Sequence, residues 1–147
     1  MYLADTNILS AWAPTLKQPP AELVSWLDSV SEGLFISVVT AAEVRAGIAK
    51  LERKGATSKA SALRGWWLTV EHLYGARILP FDLPAAQAAA SLLDRAREAG
   101  ADPGFADVAI AATAHARGLT LLTRNAKDFA PMGVDFLDPY ERLPTGP

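Results

Sequence analysis

Short apolar runs alternate with longer amphipathic ones along the whole chain, and this alternation constrains the fold more than any other feature. Tyr2-Leu3-Ala4, Leu34 to Val39, Ile78 to Phe81 and Leu119 to Thr123 read as buried strands. Val134 to Leu137 is a last, weaker candidate. Between the strands lie helical patterns. Leu23, Trp26, Leu27 and Val30 recur at i, i+3, i+4 and i+7. Thr40 is expected to start a helix with Val44, Ile48 and Leu51 on one stripe, stopped by Gly55. Residues 57 to 74 form another, carrying Trp66 and Trp67. Pro84 opens a helix with Ala85, Ala89, Leu92, Leu93 and Ala96 on one face, stopped by Gly100. Asp102-Pro103 reads as an N-cap followed by the first helical residue, with the helix running to Gly118. Pro14 to Pro20 reads as a loop. Strands that alternate with helices need crossover connections. The expected class is therefore α/β, with a mostly parallel sheet and helices on both faces.

Composition narrows the chemistry. The 147 residues have the length of one domain. There is no cysteine, which excludes a disulfide framework, a thiolate metal site and a cysteine nucleophile. His72 and His115 are the only histidines, too few for a histidine-rich zinc site. His115 reads as a helix-surface residue, and Trp66 and Trp67 as core or subunit interface. The formal charge of −2, from 14 basic and 16 acidic residues, disfavours a basic nucleic-acid-coating protein. No leader pattern opens the chain and no apolar run nears the roughly 18 residues of a membrane span, so the expected location is cytoplasmic. No Gly-x-Gly-x-x-Gly, Walker loop or Gly-x-Ser-x-Gly is present.

In parallel sheets ligands sit at the carboxyl ends of the strands. Asp5 follows the first strand, Glu43 follows the second, and Asn125 and Asp128 follow the strand ending at Thr123. Asp107 lies on the preceding helix among apolar neighbours, Phe105 to Ala112. Clustered carboxylates raise each other's pKa unless something positive lies among them. An all-oxygen set without histidine or cysteine selects Mg²⁺ or Mn²⁺, which suits phosphodiester hydrolysis. Each residue also has a plainer reading. Asp5 or Thr6 caps a helix. Thr40-Ala41-Ala42-Glu43 spells a capping box, with Glu43 folded back. Gly47 either opens that face or packs closely. Asp107, placed beyond the first turn, needs a partner, either a metal or a buried salt bridge. Arg124 and Lys127 either hold phosphates or lie in a solvated turn.

Four motifs in order carry a family resemblance: Asp5-Thr6-Asn7, Ala42-Glu43-Val44-x-x-Gly47, Ala106-Asp107-x-x-Ile110-Ala111-Ala112-x-Ala114, and Leu122-Thr123-Arg124-Asn125-x-x-Asp128-Phe129. Together they resemble a PIN-domain ribonuclease of the VapC toxin type. Gly75 to Asp82 resembles the FitB-like branch. The resemblance implies a single PIN domain over residues 1–147, a three-layer α/β fold and a Mg²⁺- or Mn²⁺-dependent endoribonuclease leaving 5′-phosphate and 3′-hydroxyl ends. It implies metal-binding acids at Asp5, Glu43 and Asp107, supported by Thr6 and Asn7. The family's fourth acid falls on Asn125 here, and Asp128 is the alternative. The implied partners are an RNA substrate, a second copy in a homodimer, and a cognate antitoxin that brings operator DNA indirectly. A second function stays open, that of a catalytically weak binding partner in a DNA-bound repressor complex.

Overall fold

The computed structural model describes residues 1–15 and 19–145. Five strands form one sheet: β1 (Tyr2–Ala4), β2 (Leu34–Ser37), β3 (Ile78–Leu79), β4 (Thr120–Leu122) and β5 (Phe136–Leu137). Their spatial order is β3-β2-β1-β4-β5, and every pair is parallel. The α/β reading therefore holds. β1 is central, with Leu3 opposite Phe35 on one side and Leu121 on the other. The chain leaves β1 toward β2 and later returns to β4 on its far side. The direction of winding thus reverses at the carboxyl ends of β1 and β4, where parallel sheets place their ligand crevice.

Among the described residues seven α-helices join these strands: α1 (Thr6–Leu9), α2 (Ala21–Ser29), α3 (Val38–Arg53), α4 (Thr57–Tyr74), α5 (Leu83–Glu98), α6 (Phe105–Ala116) and α7 (Ala126–Phe129). Side chains alternate across the sheet, which gives two cores. Leu3 and Leu121 face α5 and α6, against Leu92, Ile110 and Phe129. Ala4, Leu34, Ile36 and Leu122 face the other layer, against Leu27, Ile48 and Trp67. Trp67, 1% exposed, belongs to the core, while Trp66 beside it is half-buried. His115 is exposed, as its surface reading requires. Helix α4 has the expected bounds, and Gly55 and Gly100 adopt the left-handed conformation just past α3 and α5.

Two helix starts differ from expectation. Helix α3 begins at Val38, and its cap is Ser37, whose hydroxyl accepts from Val39 N at 3.0 Å. The strand read as Leu34 to Val39 therefore ends at Ser37, where pairing with β3 ends. Two β-branched valines are drawn into the helix because the sheet has no further partner for them. Helix α6 is capped by Gly104, not Asp102, so Pro103 lies outside it. Asp107 consequently stands in the first turn of α6, not beyond it. That helix ends at Ala116, before the left-handed Gly118. Pairing also trims the other strands: Ile78–Leu79, Thr120–Leu122 and Phe136–Leu137 are shorter than their apolar runs. Of the loop read from Pro14 to Pro20, residues 16–18 lie outside the described residues. Among the described residues no helix is long and apolar enough to cross a membrane.

Candidate active site

Asp5 is the residue where β1 becomes α1. Its N–H still extends the sheet by donating to Leu122 O at 2.9 Å. Its side chain caps α1, with Oδ1 accepting from Thr6 N at 2.8 Å. Oδ2 accepts from the Thr123 hydroxyl at 2.9 Å. The side chain is 6% exposed. Burial pushes the Asp5 carboxyl above its usual range, the bonds from Thr123 and Thr6 pull it back, and Glu43 and Asp128 push it up again. The capping reading of Asp5 is thus realised, and the same side chain lies within the electrostatic reach of Glu43 and Asp128.

Thr123 was not singled out by the sequence reading, yet it joins two of the motifs. Its hydroxyl donates to Asp5 and accepts from Asn125 N at 3.0 Å. The available signal was a lone polar residue at the carboxyl end of an apolar strand beside β1. Asn7 supports the same junction from below, its Oδ1 accepting from Arg124 N at 3.2 Å.

Glu43 is released from the capping role. With Ser37 as the cap, Glu43 is the sixth residue of α3, too far along to fold back to the helix end. Its Oε1 instead accepts from the Thr6 hydroxyl at 3.0 Å, across 37 residues of chain. Thr6 therefore bonds Asp5 with its N–H and Glu43 with its hydroxyl.

Asp107 reaches the cluster from α6. Its carboxyl is raised first by burial, then by Asp5 and Asp128. The positive end of α6 favours its charge and does not reverse that shift. No ion pair among the described residues includes Asp5, Glu43, Asp107 or Asp128. Among the described residues Asp107 has no salt-bridge partner. Asp128 and Lys127 share a hollow of about 260 Å³ with Asp107. Arg124 is exposed and lies over the Tyr140 ring at 4.0 Å. Asn125 is exposed and caps α7 without a side-chain hydrogen bond.

The donor set suits a hard divalent cation. Every oxygen is hard, burial and then neighbouring acids push Asp5 and Asp107 upward, and no side-chain cation among the described residues pairs with these acids. Among the described residues no three such side chains already stand together as a finished metal cage.

These acids lie along the carboxyl edge of a parallel α/β sheet, and the chain as a whole falls in a known class. The PIN domain family profile matches residues 2–133, and the chain belongs to that family. It is 35% identical to the VapC ribonuclease Y4jK of Sinorhizobium fredii over 144 residues, 96% of this chain and 99% of that protein. It is 36% identical to Toxin FitB of Neisseria gonorrhoeae over 150 aligned residues, 95% of this chain and 99% of that one. The solved structure of FitAB bound to an IR36 DNA fragment superposes with a TM-score of 0.79 at 32% identity, covering 99% of this chain and 100% of that one.

Proposed function

We propose that this protein is the toxin of a type II toxin–antitoxin pair and a metal-dependent endoribonuclease. One observation carries the reading: Asp5 is buried, oriented by two hydrogen bonds, surrounded by other acids, and unpaired with any cation among the described residues. Asp5, Glu43 and Asp107 are the residues to hold Mg²⁺ or Mn²⁺, with Asp128 as the fourth acid in place of Asn125. When bound, the cation supplies counter-charge and Lewis-acid polarisation for phosphodiester hydrolysis. The chain's own groups orient and support. Thr6 and Thr123 fix the Asp5 carboxylate, and Thr6 holds Glu43 toward it. Asn7 anchors the loop that bears Arg124, Lys127 shares a hollow with Asp107 and Asp128, and Lys127 and Arg124 are the residues to meet RNA phosphates.

A toxin–antitoxin complex from Klebsiella pneumoniae, 26% identical, and FitAB bound to a DNA fragment support a cognate antitoxin partner, which in this proposal inhibits the toxin and brings operator DNA indirectly. A homodimer and a cytoplasmic setting complete the proposal. The test is cleavage of labelled RNA that EDTA abolishes and Mg²⁺ or Mn²⁺ restores. Full-rate cleavage by Asp107→Asn sinks the site assignment.

A second reading has its own observations. Asn125 removes one formal charge, and no finished cage stands among the described residues. These favour a catalytically weak partner in a DNA-bound repressor complex. Expression without a partner separates the two. Growth arrest that vanishes with Asp5→Ala supports the enzyme, whereas no arrest and no cleavage supports the binding partner.

A further inference from the structure

The molecule is mildly acidic, but its α3–α4 hairpin is not. Between Val44 and His72 the chain carries six lysines and arginines against two acids, Glu52 and Glu71. Both acids are taken: Arg45 holds Glu71 at 2.8 Å, and Arg64 pairs with Glu52. Lys50, Arg53, Lys54 and Lys59 are exposed and belong to no ion pair among the described residues. Helical geometry sorts them. Glu43, Gly47, Lys50 and Lys54 recur at i, i+4, i+7 and i+11, along one side of α3. At 1.5 Å per residue, Lys50 lies roughly 10 Å and Lys54 roughly 16 Å along the axis from Glu43.

Glu43 and Gly47 of this stripe line a hollow of about 330 Å³ that also takes in Thr6, and Lys50 and Lys54 continue the same side of the helix beyond its lining. Val44, Leu51, Leu63 and Trp66 line it with apolar surface, and Lys59 of α4 stands in its wall. Gly47 also lines it, and a carbon added to Gly47 would meet nothing within 4 Å. Mid-helix glycine is disfavoured, and close packing does not require it here. Its absent side chain leaves the hollow open toward the acids.

We propose that this groove is the track for single-stranded RNA flanking the cleaved bond, with phosphates against Lys50, Lys54 and Lys59 and a base on the apolar surface beside Trp66. The proposal rests on the endoribonuclease reading and extends it along α3. Charge complementarity selects the occupant. Lys59 in the wall, with Lys50 and Lys54 farther along α3, beside an aromatic and aliphatic floor is what single-strand binding requires, and the groove reaches the acids at Glu43.

The test uses the full chain bearing Asp107→Asn, so that bound RNA persists. The probe is a labelled single-stranded RNA of about sixteen nucleotides, read by fluorescence anisotropy across a salt series. Lys50→Glu and Lys54→Glu, made singly, are expected to weaken binding about three- to tenfold and to lower the salt slope by about 0.7 for each lost phosphate contact. In the catalytically intact chain they raise KM and leave kcat unchanged. Arg97→Glu makes the same charge change on α5, across the sheet, and leaves binding within about twofold. Gly47→Leu fills the groove and weakens binding while the melting temperature holds or rises.

Unchanged affinity and slope in the lysine variants overturn the proposal, as does equal weakening by Arg97→Glu. RNA binding that survives Gly47→Leu, together with lost inhibition by the antitoxin, assigns the groove to a protein tail and overturns it too. If the unmodified chain cleaves RNA while the lysine variants bind normally, only this inference falls. If it neither cleaves RNA nor, with Asp107→Asn, binds it, the endoribonuclease reading falls as well.

Discussion

Asp5 and Asp82 begin from the same local arrangement and end in opposite states. Each follows a parallel strand and caps a helix through a backbone N–H: Thr6 for Asp5, Ala85 for Asp82. Asp82 also meets Arg117 at 2.9 Å. The Ala85 bond and that guanidinium hold its carboxyl below the usual range. Asp5 is buried against other acids and is pushed up instead. A cap is therefore not a function. What separates a structural carboxylate from a chemical one is whether the surrounding chain supplies its counter-charge. At Asp82 a distant residue does, and at Asp5 the described residues leave it to something bound.

The largest expected effect breaks or keeps that contrast directly. Asp5→Ala is expected to lower RNA cleavage by more than about 100-fold, beyond the 10–100-fold typical of losing a supporting residue. Asp82→Ala is expected to change it by less than about twofold, since its hydrogen bonds reach only α5 and Arg117. Initial rates on one labelled RNA decide the matter, and equal losses would erase the distinction.

Thr123→Val tests how Asp5 is held. It removes the hydroxyl that donates to Asp5 and accepts from Asn125 N. The expected cost is about 10–100-fold in the Mg²⁺ concentration needed for half-maximal rate.

Melting curves sharpen the comparison without any catalysis. Mg²⁺ at about a hundred times its Kd should add about 2.7 kcal/mol to the unmodified chain. For a chain of this length that raises the melting temperature by roughly 5–10 °C. Asp5→Asn should lose most of this gain, and Asp82→Asn should keep it.

The smallest effect is one of sign, read in metal-free buffer. The raised pKa of Asp5 and Asp107 means that the folded chain binds those protons more tightly than the unfolded chain. Stability falls as pH climbs from the ordinary value of 3.8 through their folded values. The lowered pKa of Asp82 acts oppositely: its stabilisation is present above 3.8 and is lost as pH falls through the folded value. Asp107→Asn should therefore melt higher than the unmodified chain at neutral pH, with the gain vanishing in acid. Asp82→Asn should melt lower at neutral pH, with the deficit shrinking in acid.

Element types were legible because period and burial coincide in this chain. Helix α4 was readable to the residue, lying between Gly55 and Gly75 with Gly65 carried inside the helix. Starts were less legible wherever two local signals competed. Thr40-x-x-Glu43 has the form of a capping box, but Ser37 lies where the sheet pairing ends and takes the cap first. Asp102-Pro103 has the form of a helix start, but Gly104 takes that cap. Each misplacement bears on the site. The first concealed that Glu43 is free to meet Thr6, and the second placed Asp107 beyond the helix's positive end. Residues at the carboxyl edge of the sheet followed from where the strands end, so Asp5, Asn125 and Asp128 could be named in advance. Thr123 carried the same positional signal but was passed over, because its role lies in a bond to a residue 118 positions away. The basic hairpin was hidden by averaging: a net charge near zero says nothing about how the charges are divided.

The two hydrogen bonds on Asp5 have a consequence in timing. Oδ1 is held by Thr6 N and Oδ2 by Thr123 Oγ1, so neither torsion of the side chain is free once the sheet has formed. Each oxygen can accept a second contact. The ordering of this carboxylate is completed during folding, before any ligand arrives. Association at this residue then forfeits little side-chain entropy. The encounter itself, more than rearrangement of Asp5, sets how quickly a ligand can engage this edge of the sheet.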